Sequence, residues 1–506
     1  MLIKWLPFII LLTVLFQAEA QTITAANCSA TAVQNAVNAA TVDGTTVNIP
    51  SGTCTWTTSA AVTTKANLTI LGAGSQSITG GNDQTVIIDN LSSSGPAALS
   101  ITLGSGKTLR FSGVTVQAGT RTITDNGSLK FYCHNTPGEL RIDHIHMLNL
   151  GTGMETSDCF GVVDHSLFDE PSPSVRNSTH INNGAYNGDA TGRGHGSWAA
   201  NTDFGTAKFM YFEDNTFNGG AANDCTFGGR NVFRHNLLHE TALQTHPTGS
   251  SPDQRGCRAW EAYNNTFDTL NSFNNSYGMY NAYFVSSGTG LIYNNTAPTG
   301  YQIFMTLHSM RRDNTSYTQT ATPAGWGYCG TSFNGTGSAW DQNTNGSTGY
   351  GCTDQPGRGK GDLIVGMMPN AVNSTTGTIS WLHQALEPIY EWGNTWAAIP
   401  GFPYPRVQNS SSDVLNQDRD YYIGTSSFTG TSGVGSGLVS ARPAACKPSV
   451  AYWATDENTL YQCTAANTWT NYYTPYPYPH PLAQGSGGSG GGTPATPPTA
   501  LQAVVH

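Results

Sequence analysis

The chain has 506 residues, with 22 Lys+Arg against 32 Asp+Glu, a formal net charge of −10 and only 11% charged residues. That charged fraction is less than half the roughly 25% of an average soluble domain, which excludes a heptad coiled coil, and an acidic chain without a basic run lacks the attraction that drives nucleic-acid binding. With 38% apolar residues, 11 Trp, 22 Tyr, 19 Phe and 58 Gly, disorder is excluded too, and the profile is that of an exported, turn-rich, mostly β protein.

Residues 1–20 read as a secretory signal. Lys4 gives a positive start, Leu6 to Phe16 an apolar run, and Ala18-Glu19-Ala20 a small-residue cleavage site. The run is shorter than the roughly 18–20 residues a span needs, so cleavage after Ala20 is expected. The mature chain is then secreted or held at the cell surface, has no membrane span, and is expected to be a monomer. Ten cysteines in an exported chain suggest disulfides. Pairs near in sequence are the economical reading: Cys28–Cys54, Cys133–Cys159, Cys225–Cys257, Cys329–Cys352 and Cys446–Cys463. Free buried thiols are the alternative, best suited to Cys133 and Cys159. No spacing is C-x-x-C, which argues against zinc.

Leu68-Thr69-Ile70, Val86-Ile87-Ile88 and Leu109-Arg110-Phe111 look like early strands. From residue 141 a repeat takes over, in six segments: RIDHIHM (141–147), VVDHSLF (162–168), YFEDNTF (211–217), VFRHNLL (232–238), EAYNNTF (261–267) and LIYNNTA (291–297). One apolar column contains Ile142, Val163, Phe212, Phe233, Ala262 and Ile292. Five positions later a second contains Met147, Phe168, Phe217, Leu238, Phe267 and Ala297. Between them, the last four copies carry Asn215, Asn236, Asn265 and Asn295. The spacings are 21, 49, 21, 29 and 30 residues, so a minimal period with insertions describes one coil of a solenoid, its short strands stacked about 4.8 Å apart. A sharp bend leaves backbone groups unpaired, and a stack of Asn amides can bond both the bend and one another. A second column, Asp143, Asp164 and Glu213 followed by Arg234, with His144, His165 and His235 beside it, reads as a structural charge ladder.

Further along, 305–362 is a long side insertion and Ile389 to Thr395 a late coil. Residues 441–482 form a small Tyr/Trp-rich segment closing the domain around Cys446 and Cys463. Residues 483–493 are a Gly/Ser linker, and 494–506 resemble the start of a fibronectin-like module.

Stacked Asn coils of this kind resemble the pectate-lyase-like superfamily, whose fold is an all-β, single-stranded right-handed parallel β-helix. The resemblance implies such a domain over 21–440, with an N-terminal cap helix over Cys28 to Ala40 that buries Val33, Ala36 and Val37. Thr45 to Cys54 resembles the first strand. Local motifs are similar to pectate lyases: Val162-Val163-Asp164-His165 to their W-[IV]-D-H segment, Gly229 to Asn236 to the coil ending in H-H-N, and Arg255 to Asn265 to R-x-G-x-x-H-x-Y-N-N. In that family the arginine-rich approach to Y-N-N holds the catalytic base and a carboxylate-binding Arg, and acidic residues on neighbouring coils bind Ca²⁺. Carried over, Arg255 and Arg258 are the catalytic candidates. The family's R-x-P-x-x-R is absent here, His246-Pro247 stands near where its first Arg would be, and Glu261 occupies the family's His position.

The implied activity is that of a polysaccharide lyase acting on an acidic, uronate-containing polymer. β-Elimination removes the proton at C5 and needs the adjacent carboxylate neutralised. A base with a pKa near 7–8 suits the proton transfer, which favours His246, and the high pKa of arginine suits Arg255 and Arg258 to clamping the carboxylate. Asp203 and Asp224, each about twelve residues before a stacked Asn, are the candidate Ca²⁺ ligands. Arg230 and Glu261 belong to the same motifs and are assigned to substrate binding. His195 and Trp198, in the loop Gly192 to Trp198, suit sugar stacking and proton transfer, and His308, Arg311 and Arg312 form a cationic wall for an anionic sugar. Two alternatives stay open: a glycoside hydrolase using Asp203, Asp224 and Glu261, and a non-catalytic surface adhesin or polysaccharide-binding β-helix.

Overall fold

Short strands with alternating side chains cannot bury a face alone, and here they do so by winding. The computed structural model describes residues 20–74, 83–92, 95–120, 127–170, 179–184, 194–247, 255–268, 281–298, 300–309, 354–360, 364–365, 372–373, 384–402, 404–412 and 415–484. The signal segment before Ala20, Cys329 and Cys352, Arg311 and Arg312, and the linker and tail from Gly485 onward lie outside them.

Strands join three long parallel sheets of twelve, ten and ten members, hereafter sheets I, II and III. The chain visits I, II and III in turn through ten coils, from Thr45–Ile49 in sheet I to Val407–Asn409 in sheet III, so the protein is a parallel β-helix. Both apolar columns point inward: every member of each is at most 2% exposed. Aromatic members stack from coil to coil, with centroids 4.6 Å apart for Phe168–Phe217 and for Phe212–Phe233. A helix over Ala30–Ala39, capped by the Ser29 hydroxyl on the Ala32 N–H, buries Ala30, Val33, Ala36 and Val37. The stretch resembling one first strand is two, Thr45–Ile49 and Gly52–Trp56. Pro50, which lacks an N–H, sits in the corner between them, and Thr22–Thr24 pairs ahead of both.

From the third coil on, two residues separate sheet I from sheet II in every coil. The first takes a left-handed conformation: Gly113, His144, His165, Asp214, His235, Asn264, Asn294 and Gly393 all have φ between 49° and 70°. The second carries the ladder. The Oδ1 of Asn236 accepts the Asn215 N–H (3.0 Å) and the Asn215 amide (3.2 Å), and that of Asn265 accepts both from Asn236 at 3.0 Å. Asn295 and Asn394 continue the chain at 2.8–3.0 Å. Ser166 begins it, its N–H donating to the Asn215 Oδ1 at 2.9 Å. Each amide also reaches a backbone carbonyl of the previous coil, as Asn265 does to Phe233 at 2.8 Å. The ladder therefore satisfies buried groups that a tight corner strands.

Four disulfides join Cys28–Cys54, Cys133–Cys159, Cys225–Cys257 and Cys446–Cys463. The free-thiol alternative for Cys133 and Cys159 is thus corrected: neighbouring coils bring their Cα atoms to 4.8 Å, within bonding reach.

After the last coil the chain turns back. A four-stranded sheet over Val434–Gly437, Ala451–Ala454, Thr459–Ala465 and Thr468–Tyr473 packs on the outer face of sheet I, burying Tyr211, Val232, Leu291 and Tyr390 in a second core. It lies along the flank of the stack. Residues 474–484 continue as a strap along the charge ladder. Arg234 pairs with Glu213 (2.6 Å) and donates to the carbonyls of Tyr476 (2.7 Å) and Pro477 (2.8 Å), and the His480 N–H donates to Glu213 (2.7 Å). Arg141 bridges Asp143 and Asp164 at 2.9 Å. Where the strap has passed, the same column turns aromatic, Tyr263, Tyr293 and Trp392 stacking at 4.7 and 4.4 Å.

Replacing Asn265 by Ala leaves the Asn236 N–H and the Phe233 carbonyl buried without their partner. Denaturant unfolding is expected to show a loss of about 2–4 kcal/mol, far more than at an exposed corner such as Asn264→Ala.

Candidate functional site

From the third coil on the corner between sheets I and II is uniform, and insertions collect at the other two. Between sheets III and I they fill 185–209, 246–258 and 308–388, in every second coil, with short corners between them. Parts of all three meet in one buried cluster. Arg255 forks onto Asp354, with Nε to Oδ2 at 2.9 Å and Nη2 to Oδ1 at 2.6 Å, and both side chains are fully buried. Asp354 is held further by the Gly256 N–H (2.9 Å) and by Gln384 (2.7 Å). Arg258 pairs with Glu387 at 2.8 Å and donates to the Ala200 carbonyl at 2.9 Å. A Cβ at Gly359 would press on the Glu387 carboxylate and the Arg258 guanidinium, so the backbone there runs close to this pair.

Trp198 is the hub. It lies on the short helix His195–Ala199, donates to the Gly256 carbonyl at 2.8 Å, and faces the guanidinium carbons of Arg255 at 4.8 Å and Arg258 at 5.5 Å, a cation–π arrangement. Arg230 donates to the Ser197 hydroxyl (3.0 Å) and carbonyl (2.9 Å) and to Asp203 (3.3 Å). Burial, and then the charge of Arg258, pull Arg230 down to about 9. Three arginines thus face Asp203, Asp354 and Glu387, a charge-balanced knot that ties the insertions together.

This geometry corrects several expectations. Arg255 and Arg258 are 0% exposed, and each pairs with a carboxylate of the third insertion, so they hold the wall and present no open cationic surface. His195 and Trp198, expected at an exposed loop tip, are also 0% exposed, because the indole and imidazole fill the space beneath the guanidinium groups. Arg255 Nη1 lies 3.3 Å from His195 Nδ1. Arg230 is likewise buried. Asp203 gives its carboxylate to Arg230 and Lys208, both at 3.3 Å, leaving it poorly placed to serve a metal. Among the described residues no three His, Cys, Asp or Glu side chains converge as a metal site.

Glu261 faces outward from sheet I into the interface with the C-terminal sheet. It accepts the Gly205 N–H (2.8 Å) and the Tyr473 hydroxyl (2.7 Å), and burial raises its carboxyl to about 7. Its side chain is enclosed.

The remaining candidates lie on sheet III. Asp224 and His308 are partly exposed on its outer side, and His246 sits half-buried where the strand Leu243–Thr245 ends. Sequence reading missed the rest of that face: Lys130 paired with Glu155 at 2.7 Å, Tyr132 at 38% exposure, and Phe284 edge-on to His308 at 5.9 Å. Burial works against the Lys130 charge, yet Glu155 holds its pKa above the ordinary value. The available signal was alternation: Lys130 and Tyr132 flank inward Phe131, and Phe284 lies between inward Tyr283 and Val285.

No protein-family profile matches the chain, and no curated protein matches it by sequence. Among solved structures, an alginate lyase from Paenibacillus sp. str. FPU-7 matches at 16% identity and a TM-score of 0.33, over 54% of this chain and 94% of that one. At that level the likeness carries no argument about the site.

Two variants test the assignments. Arg255→Ala strands Asp354 in the interior and is expected to cost about 3–5 kcal/mol of stability; unchanged melting with lost activity would return Arg255 to the chemistry. Glu261 has its folded pKa raised above the unfolded value, so the folded state binds the extra proton and stability falls as pH rises from 4.5 towards 7. Glu261→Gln is therefore expected to stabilise the protein at pH 8 by roughly 3 kcal/mol and to flatten that slope in pH-dependent melts.

Proposed function

We propose that the chain is a secreted polysaccharide lyase that cleaves an acidic, uronate-containing polymer bound along the outer face of sheet III. One observation carries the proposal: from the third coil on, sheet III alone has insertions at both flanking corners, among them 119–128 and 397–406 on one edge and the tied wall on the other. The outer face of sheet I is largely covered, and sheet II has a plain two-residue corner along one edge. From Tyr132 in the third coil to His308 in the ninth, at about 4.8 Å per coil, the face extends roughly 29 Å, a length that suits a chain of several sugars. Tyr132 and Phe284 offer rings for stacking, and Lys130 offers a cation. Four disulfides suit an oxidising, extracellular setting, and no described helix is long and apolar enough to cross a membrane.

In the proposed reaction His246 takes the C5 proton, the electron pair forms the C4–C5 double bond, and the 4-linked sugar oxygen leaves and takes a proton from water. The substrate carboxylate must be neutralised for the enolate-like intermediate to form. We assign that task to Arg311 and Arg312, the cationic pair that follows His308 in the sequence. Arg255 and Arg258 act as positioning residues through the wall.

The test is incubation with polygalacturonate, alginate, a glycosaminoglycan and neutral xylan. Elimination is expected to produce the ultraviolet absorbance of an unsaturated uronate from an acidic polymer, and His246→Ala to lower kcat by about 10²–10⁴-fold. New reducing ends without that absorbance would favour hydrolysis, and intact polymer with measurable binding would favour the adhesin; either result overturns the lyase.

A further inference from the structure

On the opposite flank, a cavity of about 400 Å³ opens on the outer face of sheet I at the early coils, before the C-terminal sheet covers it. Asn67, Thr69, Thr108 and Arg110 line one side, and Pro481 and Leu482 of the strap close the other. Its size falls in the range of small-ligand sites, about 300–1,000 Å³.

The polar part of the lining is made of donors, set among apolar groups such as Pro481 and Leu482. Arg110 uses Nε and Nη2 on Asp143, at 2.9 and 2.7 Å; among the described residues its Nη1 has no partner. The same holds for the Asn67 amide nitrogen, whose Oδ1 accepts the Thr108 N–H at 2.9 Å, and for the hydroxyls of Thr69 and Thr108. The nearby carboxylates are not presented: Asp143 and Asp164 are 0% exposed behind the guanidinium groups of Arg110 and Arg141. Asp43, outside the lining, is paired with Lys107 at 3.1 Å. A ligand therefore meets a guanidinium edge, an amide and hydroxyls. The far wall is fixed, because Arg141 Nη1 donates to the Leu482 carbonyl at 3.0 Å.

We propose that this pocket is a second, non-catalytic site that binds the carboxylate-bearing sugar of an acidic polysaccharide, with Arg110 Nη1 on the carboxylate and Asn67, Thr69 and Thr108 on neighbouring oxygens. It rests on the acidic-polymer reading above for its ligand and on none of the residues of the sheet III face. A polymer held here and on sheet III is anchored on two flanks, so the gain is avidity for long chains.

The experiment is calorimetric titration of the full chain carrying His246→Ala, which spares the ligand from cleavage, with tetragalacturonate and tetramannuronate, and with cellotetraose as the neutral control; rates are read with His246 in place. Two acidic oligosaccharides per chain are expected. Arg110→Ala is expected to remove one of them or weaken it about tenfold. Since Arg110→Ala also strands Asp143, Thr69→Trp, which fills the cavity and leaves that pair intact, must give the same loss with an unchanged melting temperature. Initial rates on the tetrasaccharides are expected to stay at wild-type level in both variants. Undiminished binding in Thr69→Trp, equal binding of cellotetraose, or no binding of either acidic tetrasaccharide would each overturn the pocket. Failure of the pocket alone leaves cleavage of the polymer intact, whereas failure of the lyase reading leaves every polymer uncleaved whatever the pocket binds.

Discussion

The amide ladder is the constraint on which the rest of the molecule depends. Each Asn spends its Oδ1 on the preceding coil's corner and its Nδ2 on a backbone carbonyl and the next Asn, which works only if every corner has the same two-residue shape. An extra residue there would break two hydrogen bonds in a buried place and move the apolar columns out of register. Variation is thereby pushed to the other two corners, both of which border sheet III. The position of the candidate groove thus follows from hydrogen bonding on the far side of the coil.

Charge is handled by the same logic. An acidic chain with few charged residues nevertheless buries Arg234, Arg255 and Arg258 completely. Each is matched to a carboxylate, and each joins elements that strand pairing does not connect: strap to sheet I, or insertion to insertion. Such pairs add little net stability over an apolar filling, but they fix which segment sits against which. In the wall, Trp198 replaces the water that would otherwise solvate the two guanidinium faces.

Much of the fold was legible because its signals are local and recur. The Asn and apolar columns repeat within a few residues of one another, and the cap helix, the early strands and the near-neighbour cysteine pairs are all short-range. The site was less legible, since its partners are distant in sequence. Arg255 and Asp354 are 99 residues apart, Glu261 and Tyr473 are 212, and Arg234 and Tyr476 are 242. No spacing rule links them, and Arg255 and Arg258 look like exposed catalytic cations until the carboxylates that cover them are in place. Trp198 and His195 mislead for the same reason: a Gly-rich stretch reads as a loop tip, and only the tertiary contacts show it folded inward.

The C-terminal return decides which flank stays available. Had the small sheet and its strap capped the end of the stack, the outer face of sheet I would expose Tyr211, Val232, Leu291 and Tyr390, an apolar strip that water disfavours. By lying along the flank it hides that strip, satisfies Arg234 and Glu213, and ends at Leu482 beside Arg141. The strap also sets two opposing titrations. Burial, and then Arg234, hold His235 and His480 at about 4, so their contribution is lost as pH falls from 6.5, whereas Glu261 costs stability as pH rises towards 7. The two windows overlap, and with two histidines against one carboxylate the docked segment is most secure near pH 6.5, and with it the far wall of the sheet I pocket.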